Sequence, residues 1–202
     1  MLVKHLFGNI DMSWKKVILF AIAIGIYTGI IMQVDFLSDT SFQDIGIYYE
    51  FWVLFAVIIV VNCGKNTQAM LKCFAFFLIS QPIIFLVEVL GGTITVEKGL
   101  LYLRYWSPLI LMTLPGGFIA YYCKKQNLLG AIILGLGNTI ILVMGGYYYQ
   151  QLVVSFPHHL LSVLICLVSV FVLSYYIQKE NKYRIISILL AFILTAVFYC
   201  LF

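Results

Sequence analysis

The chain has 202 residues, of which 63% are hydrophobic and only 10% charged, against about 25% charged in an average soluble domain. Such a surface suits lipid rather than water, which excludes a soluble globular protein and sets the expected fold class as all-α, a polytopic integral membrane protein. The net charge of +4 is not gathered into a basic stripe, so nothing points to nucleic acid.

In chain order, residues 1–13 come first. They place Leu2, Val3, Leu6, Phe7 and Ile10 on one helical face, which predicts a short amphipathic helix lying in the membrane interface. Ser13 is positioned to cap the helix after it. Residues 17–202 then read as one helical domain, within a single-domain chain of 1–202. Seven transmembrane helices are predicted: Val17–Val34, Ile45–Asn62, Ala69–Leu90, Tyr105–Cys123, Leu128–Tyr147, His159–Ile177 and Ile185–Phe202. Each is close to the ~20 residues that a bilayer core requires. The first run ends without a small-residue cleavage site and is expected to stay as a span.

The first span carries Ala21, Gly25 and Gly29 at four-residue spacing. Such a small-residue face lets another helix approach closely, either inside the bundle or from a second membrane subunit. The second holds Glu50 within Tyr48-Tyr49-Glu50-Phe51-Trp52. The third has Gln81 and Pro82 at its middle and Glu88 two turns further on. Arg104 opens the fourth, beside Tyr105 and Trp106, and Pro115-Gly116-Gly117 lies at its centre. The fifth has Gly135, Gly137, Asn138 and Thr139 at its centre and Tyr147–Tyr149 at its end. His158 and His159 open the sixth. Proline and glycine at one depth in three spans predict helices interrupted at the midplane around a cavity, the arrangement in which secondary transporters place their sites.

Charge sets the expected direction. Ten of the twelve Lys and Arg residues fall before the first, third, fifth and seventh spans or, for Lys72, in the first turn of the third; Lys98 and Arg104 fall on the other side. Basic residues stay cytoplasmic, so the N-terminus is expected inside and the C-terminus outside, in the cell membrane. Six of the eight acids fall on the outer side, where they would gather cations or zwitterions. The stretch 120–127 (AYYCKKQN) echoes 174–181 (SYYIQKEN); a repeat of that spacing would give one leading helix followed by three hairpins.

Ionisable groups inside spans usually face the protein interior. The reading that follows brings Glu50, Glu88 and Arg104 together under an aromatic outer mouth, with Tyr49, Trp52, Tyr105 and Trp106 shaping a ligand site. Gln81, Asn138 and His159 join them as ligand-binding candidates, and Glu88 is assigned proton coupling. No catalytic residue, metal site or cofactor is assigned. The zinc-protease HExxH, the GxSxG elbow and the P-loop are all missing. The five cysteines form no CxxC pair and read as small core-filling residues. The leading expectation is a small membrane transporter, or a solute-binding transport subunit, with an outward-facing site for a charged or zwitterionic small molecule or ion. A non-catalytic assembly or regulatory partner of a larger membrane complex, docking through Ala21, Gly25 and Gly29, is the alternative. An outer-face enzyme pairing Cys200 with His159 stands third.

Overall fold

The structure, a computed structural model, describes residues 6–8, 10–38 and 40–201, without the side chains of residues 45–47 and 49. Leu2 and Val3 of the expected interfacial helix lie outside the described residues. Every regular element among the described residues is helical. Eight α-helices lie wholly within the described residues: α1 (Trp14–Ile31), α2 (Ser41–Ile47), α3 (Tyr49–Val61), α4 (Asn66–Leu90), α5 (Val96–Ala120), α6 (Leu128–Ser155), α7 (Leu160–Ile177) and α8 (Asn181–Leu201). Five of them, α1, α4, α6, α7 and α8, are long and apolar enough to cross a membrane.

The second predicted run is divided rather than continuous. Tyr48 adopts an extended backbone (φ −95°, ψ 155°) that ends α2 and starts α3. The fourth run, α5, begins at Val96 instead of Tyr105, so Arg104 sits in its third turn instead of opening it. Ser13 caps α1 as its position suggests, accepting from the Lys16 amide at 3.4 Å.

The expected midplane interruptions do not form. α4 continues through Pro82, α5 through Pro108 and Pro115, and α6 through Gly135–Thr139. A proline removes one ladder hydrogen bond, which a long helix tolerates. The glycines serve close packing instead. A methyl group on Gly135 would lie 2.8 Å from Leu190 Cδ2 and 3.1 Å from the Ser187 carbonyl oxygen of α8.

The same holds for the first small-residue stripe. Ala21 is fully buried. A methyl group on Gly25 would lie 2.9 Å from both Ile83 Cβ and the Ser80 carbonyl oxygen, and one on Gly29 would lie 2.7 Å from Val87 Cβ. The Ala21–Gly25–Gly29 face is therefore filled by α4 within the chain, and it is not a free surface for a second subunit.

Two sets of helices emerge from the packing. α1 lies chiefly on α4, with α2 and α3 beside them; α6 lies chiefly on α8 and also holds α7. α5 connects the sets in sequence and packs mainly on α4. This order differs from a leading helix and three hairpins. The two echoing stretches nevertheless meet. Gln178 Nε2 donates to the Cys123 carbonyl at 2.6 Å and the Lys125 carbonyl at 3.2 Å. In return Gln126 Nε2 donates to the Ile177 carbonyl at 2.9 Å, while its Oε1 accepts from the Lys179 amide at 2.5 Å.

Candidate functional site

A cavity of about 500 Å³ lies between the two sets, walled by α3, α4, α5 and α6. Its lining is almost wholly apolar. Trp52, Val53, Ala56, Val57 and Val60 of α3 form one wall, with Cys73 and Phe77 of α4 beside them. Trp106, Leu109, Met112 and Gly116 come from α5, and Ile133, Gly137, Asn138 and Ile140 from α6. Trp52 is anchored among rings, 5.6 Å from Phe77 and 5.9 Å from Phe76.

The cavity opens sideways. α5 and α6 follow each other in the chain yet barely touch, and the residues flanking the gap are exposed, Met112 at 68% and Ile140 at 47%. Two polar side chains interrupt the apolar wall. Thr113 turns its hydroxyl onto the Ile110 carbonyl at 2.6 Å. Asn138 is fully buried and donates through Nδ2 to Ser174 Oγ at 3.0 Å. Ser187 lies 3.0 Å from the same oxygen, which links α6, α7 and α8. Asn138 Oδ1 is buried without a hydrogen-bond partner. An unsatisfied acceptor of this kind costs about 1–3 kcal/mol.

Polar links close both ends. At one end, Glu50 lies in the first turn of α3, one turn before the cavity-lining Val53. It is fully buried, and its Oε1 accepts from the Tyr148 hydroxyl of α6, while Oε2 is buried without a partner. The ring of His159 stacks on Tyr148, centroids 5.9 Å apart, and His159 Nδ1 lies 2.9 Å from Asp44 Oδ2. That carboxylate oxygen also accepts from Ser162 Oγ at 2.5 Å. Ser41 completes the cluster, donating through Oγ to the His158 carbonyl at 2.9 Å and accepting from the Ser162 amide at 3.2 Å.

The other end is closed by the 3-10 turn Tyr121–Lys124. The Tyr121 hydroxyl donates to the Gly64 carbonyl at 2.7 Å, and Lys124 Nζ donates to the Cys63 carbonyl. Burial there holds the Lys124 ammonium below the usual lysine range.

The expected convergence of Glu50, Glu88 and Arg104 does not occur. Arg104 is exposed on α5, and among the described residues no ion pair includes it, Glu50 or Glu88. Tyr105 is exposed as well, at 72%. Glu88 is buried on α4, and Gln81 is buried one helix away from Tyr102, whose hydroxyl lies 3.4 Å from its Oε1. The side chain of Tyr49 lies outside the described residues. Of the ten candidates, Trp52, Trp106 and Asn138 line the cavity, and Glu50 and His159 belong to the polar cluster around Asp44 and Tyr148. Lys72, expected among the cytoplasmic cations, is 7% exposed and donates to the Met12 carbonyl at 2.5 Å. Among the described residues no three His, Cys, Asp or Glu side chains gather as a metal site.

Ser41 and Ser162 carry no reading from the sequence, and Asp44 and Tyr148 stand outside the ten ligand-site candidates. One signal was present: His159 and Ser162, like Ser41 and Asp44, are three apart and share a helix face. No family model matches the chain, and no curated protein or solved structure matches it either.

Proposed function

We propose that this is a seven-span protein of the cell membrane, N-terminus cytoplasmic and C-terminus outside, that binds and moves a lipophilic small molecule. The charge asymmetry supports the orientation. For the two further spans, α2 with α3 serves as the second and α5 as the fourth; α5 has 25 residues but carries Glu97, Lys98 and Arg104 in its first half.

The observation that carries the solute class is the apolar cavity between the two helix sets, open sideways between α5 and α6. A solute dissolved in the bilayer reaches such a site without crossing headgroups. Apolar walls with few polar groups select by shape and one or two hydrogen bonds, and Thr113 and Asn138 are the polar side chains in this wall. A charged or zwitterionic solute is disfavoured, since Arg104 stands outside and the walls hold no charge. The outer Glu50–Tyr148 link and the inner Lys124–Cys63 link join α3 and the turn after it to the second half of the chain, and opening them alternately would give access to either side.

The test uses the three tryptophans, Trp14, Trp52 and Trp106. In a Trp14→Phe background both remaining reporters line the cavity. Titration of the purified chain in detergent with a brominated fatty alcohol is expected to quench them saturably. Gly137 has nothing within 4 Å of an added Cβ, so Gly137→Leu fills the cavity and is expected to abolish the saturable part. Quenching that is linear, and equal in Gly137→Leu, would refute the site. Flux of the same alcohol into vesicles containing the protein then tests movement.

A further inference from the structure

A second groove lies elsewhere, between α7 and α8. These helices are consecutive but both pack chiefly on α6, so they diverge and leave a cleft of about 340 Å³. Phe171, Val172 and Ile188 give it apolar walls, and Tyr175, Tyr176 and Arg184 stand at one end. Phe171 and Phe192 approach across it, ring centroids 6.4 Å apart.

Arg184 is held in place. Its guanidinium lies 4.3 Å over the Tyr175 ring. Nε donates to the Gln178 carbonyl at 2.6 Å and one terminal nitrogen to Asn181 Oδ1 at 2.8 Å. Arginine has five N–H donors, so three are left for another partner. No carboxylate neutralises it among the described residues: Glu180, the acid of the adjoining turn, pairs with Lys182 at 3.0 Å. Lys179 and Lys182 are exposed beside it. The groove thus presents fixed, uncompensated positive charge directly above an apolar cleft.

We infer that this groove is a binding site for an anionic phospholipid, with its phosphate on Arg184 and an acyl chain along Phe171, Val172 and Ile188. A soluble anion would use only the charged end, and a neutral lipid only the cleft. Basic pockets between transmembrane helices at the membrane boundary are suited to such headgroups. Arginine matches phosphate through its planar fork where lysine offers a point charge. The inference needs the chain to lie in a membrane but is independent of the cavity between α3 and α6.

The experiment is native mass spectrometry and thermal unfolding of the delipidated full chain in detergent, with phosphatidylglycerol, phosphatidylcholine of the same acyl chains, and inorganic phosphate as probes. Phosphatidylglycerol is expected to remain bound and raise Tm, phosphatidylcholine to bind more weakly, and phosphate alone to do neither. Arg184→Gln is expected to weaken phosphatidylglycerol about fivefold, the worth of one boundary charge, with Arg184→Lys between. Since Arg184 also supports the α7–α8 turn, Ile188→Trp is the second variant; it blocks the cleft and leaves the guanidinium in place, and is expected to remove phosphatidylglycerol binding. Equal retention of the two lipids, unchanged phosphatidylglycerol binding in either Arg184→Gln or Ile188→Trp, or an equal shift with phosphate alone would overturn the assignment. The tryptophan titration with the brominated alcohol does not depend on any of these outcomes.

Discussion

The hydroxyl of Tyr148 on α6 donates to the carboxylate of Glu50 at the start of α3, and both side chains are fully buried. The contact joins the two helix sets above the cavity. Glu50 Oε2 is already without a partner. In Tyr148→Phe both carboxylate oxygens are unsatisfied, which is expected to cost about 1–3 kcal/mol. Glu50→Gln retains an acceptor for the hydroxyl and is expected to cost less. The double variant Tyr148→Phe/Glu50→Leu leaves neither group orphaned, so its loss is expected to fall short of the sum of the singles. Thermal unfolding of the wild type, Tyr148→Phe, Glu50→Leu and the double variant in one detergent closes the cycle and measures the coupling; strict additivity would show that the contact carries no energy.

The Asp44 carboxylate gathers His159 and Ser162 and so pins α2 onto the start of α7. Removing it in Asp44→Ala leaves the Ser162 hydroxyl and the His159 ring unpaired in a buried setting. The expected result is local opening of residues 41–47, read as faster amide exchange there, with exchange in α6 and α8 unchanged. Ser41→Ala loses the bonds to the His158 carbonyl and the Ser162 amide and is expected to give the same pattern more weakly. Uniform acceleration along the whole chain would instead assign Asp44 to global stability.

What could be read beforehand follows physical range. Apolar runs are local properties, and every predicted run contains a helix. Buried polar residues in a span must face protein, and Glu50, Asn138 and His159 do. Which groups meet was not legible, because that depends on helix rotation and on the break at Tyr48. One extended residue there ends the run and turns Asp44 toward α7. Arg104 misled because α5 starts nine residues earlier than its apolar core, leaving the guanidinium on an exposed face. Gly135 misled in another way: glycine marks either a break or a close approach, and composition does not distinguish them.

Glycine positions therefore supply a contrast. Gly29 lies against Val87, where a methyl group would approach to 2.7 Å, whereas nothing lies within 4 Å of the same position on Gly116. Gly29→Ala is expected to push α1 from α4 and destabilise by about 1–3 kcal/mol, as overpacking does. Gly116→Ala is expected to be neutral or slightly stabilising, since alanine is the better helix former by about 1 kcal/mol. Midpoints of thermal unfolding for the two variants decide it; equal effects would mean that α1 and α4 do not pack through this face.

The native cysteines allow a test of orientation without a fused reporter. Cys63, Cys73, Cys123 and Cys166 are buried, whereas Cys200 near the end of α8 is exposed. With the C-terminus outside, a membrane-impermeant maleimide added to intact cells is expected to label the protein, and Cys200→Ser is expected to remove the label. The opposite side is probed in that Cys200→Ser background. Lys125 is exposed in the turn between α5 and α6, so Lys125→Cys is expected to react only after the cells are permeabilised. If Lys125→Cys labels in intact cells and Cys200 only after permeabilisation, the chain is inverted. Positive charge would then lie outside, against the bias that governs insertion. If both positions label in intact cells, they lie on one side. An odd number of crossings between them would then be ruled out, and with it the use of α6, α7 and α8 as three separate spans.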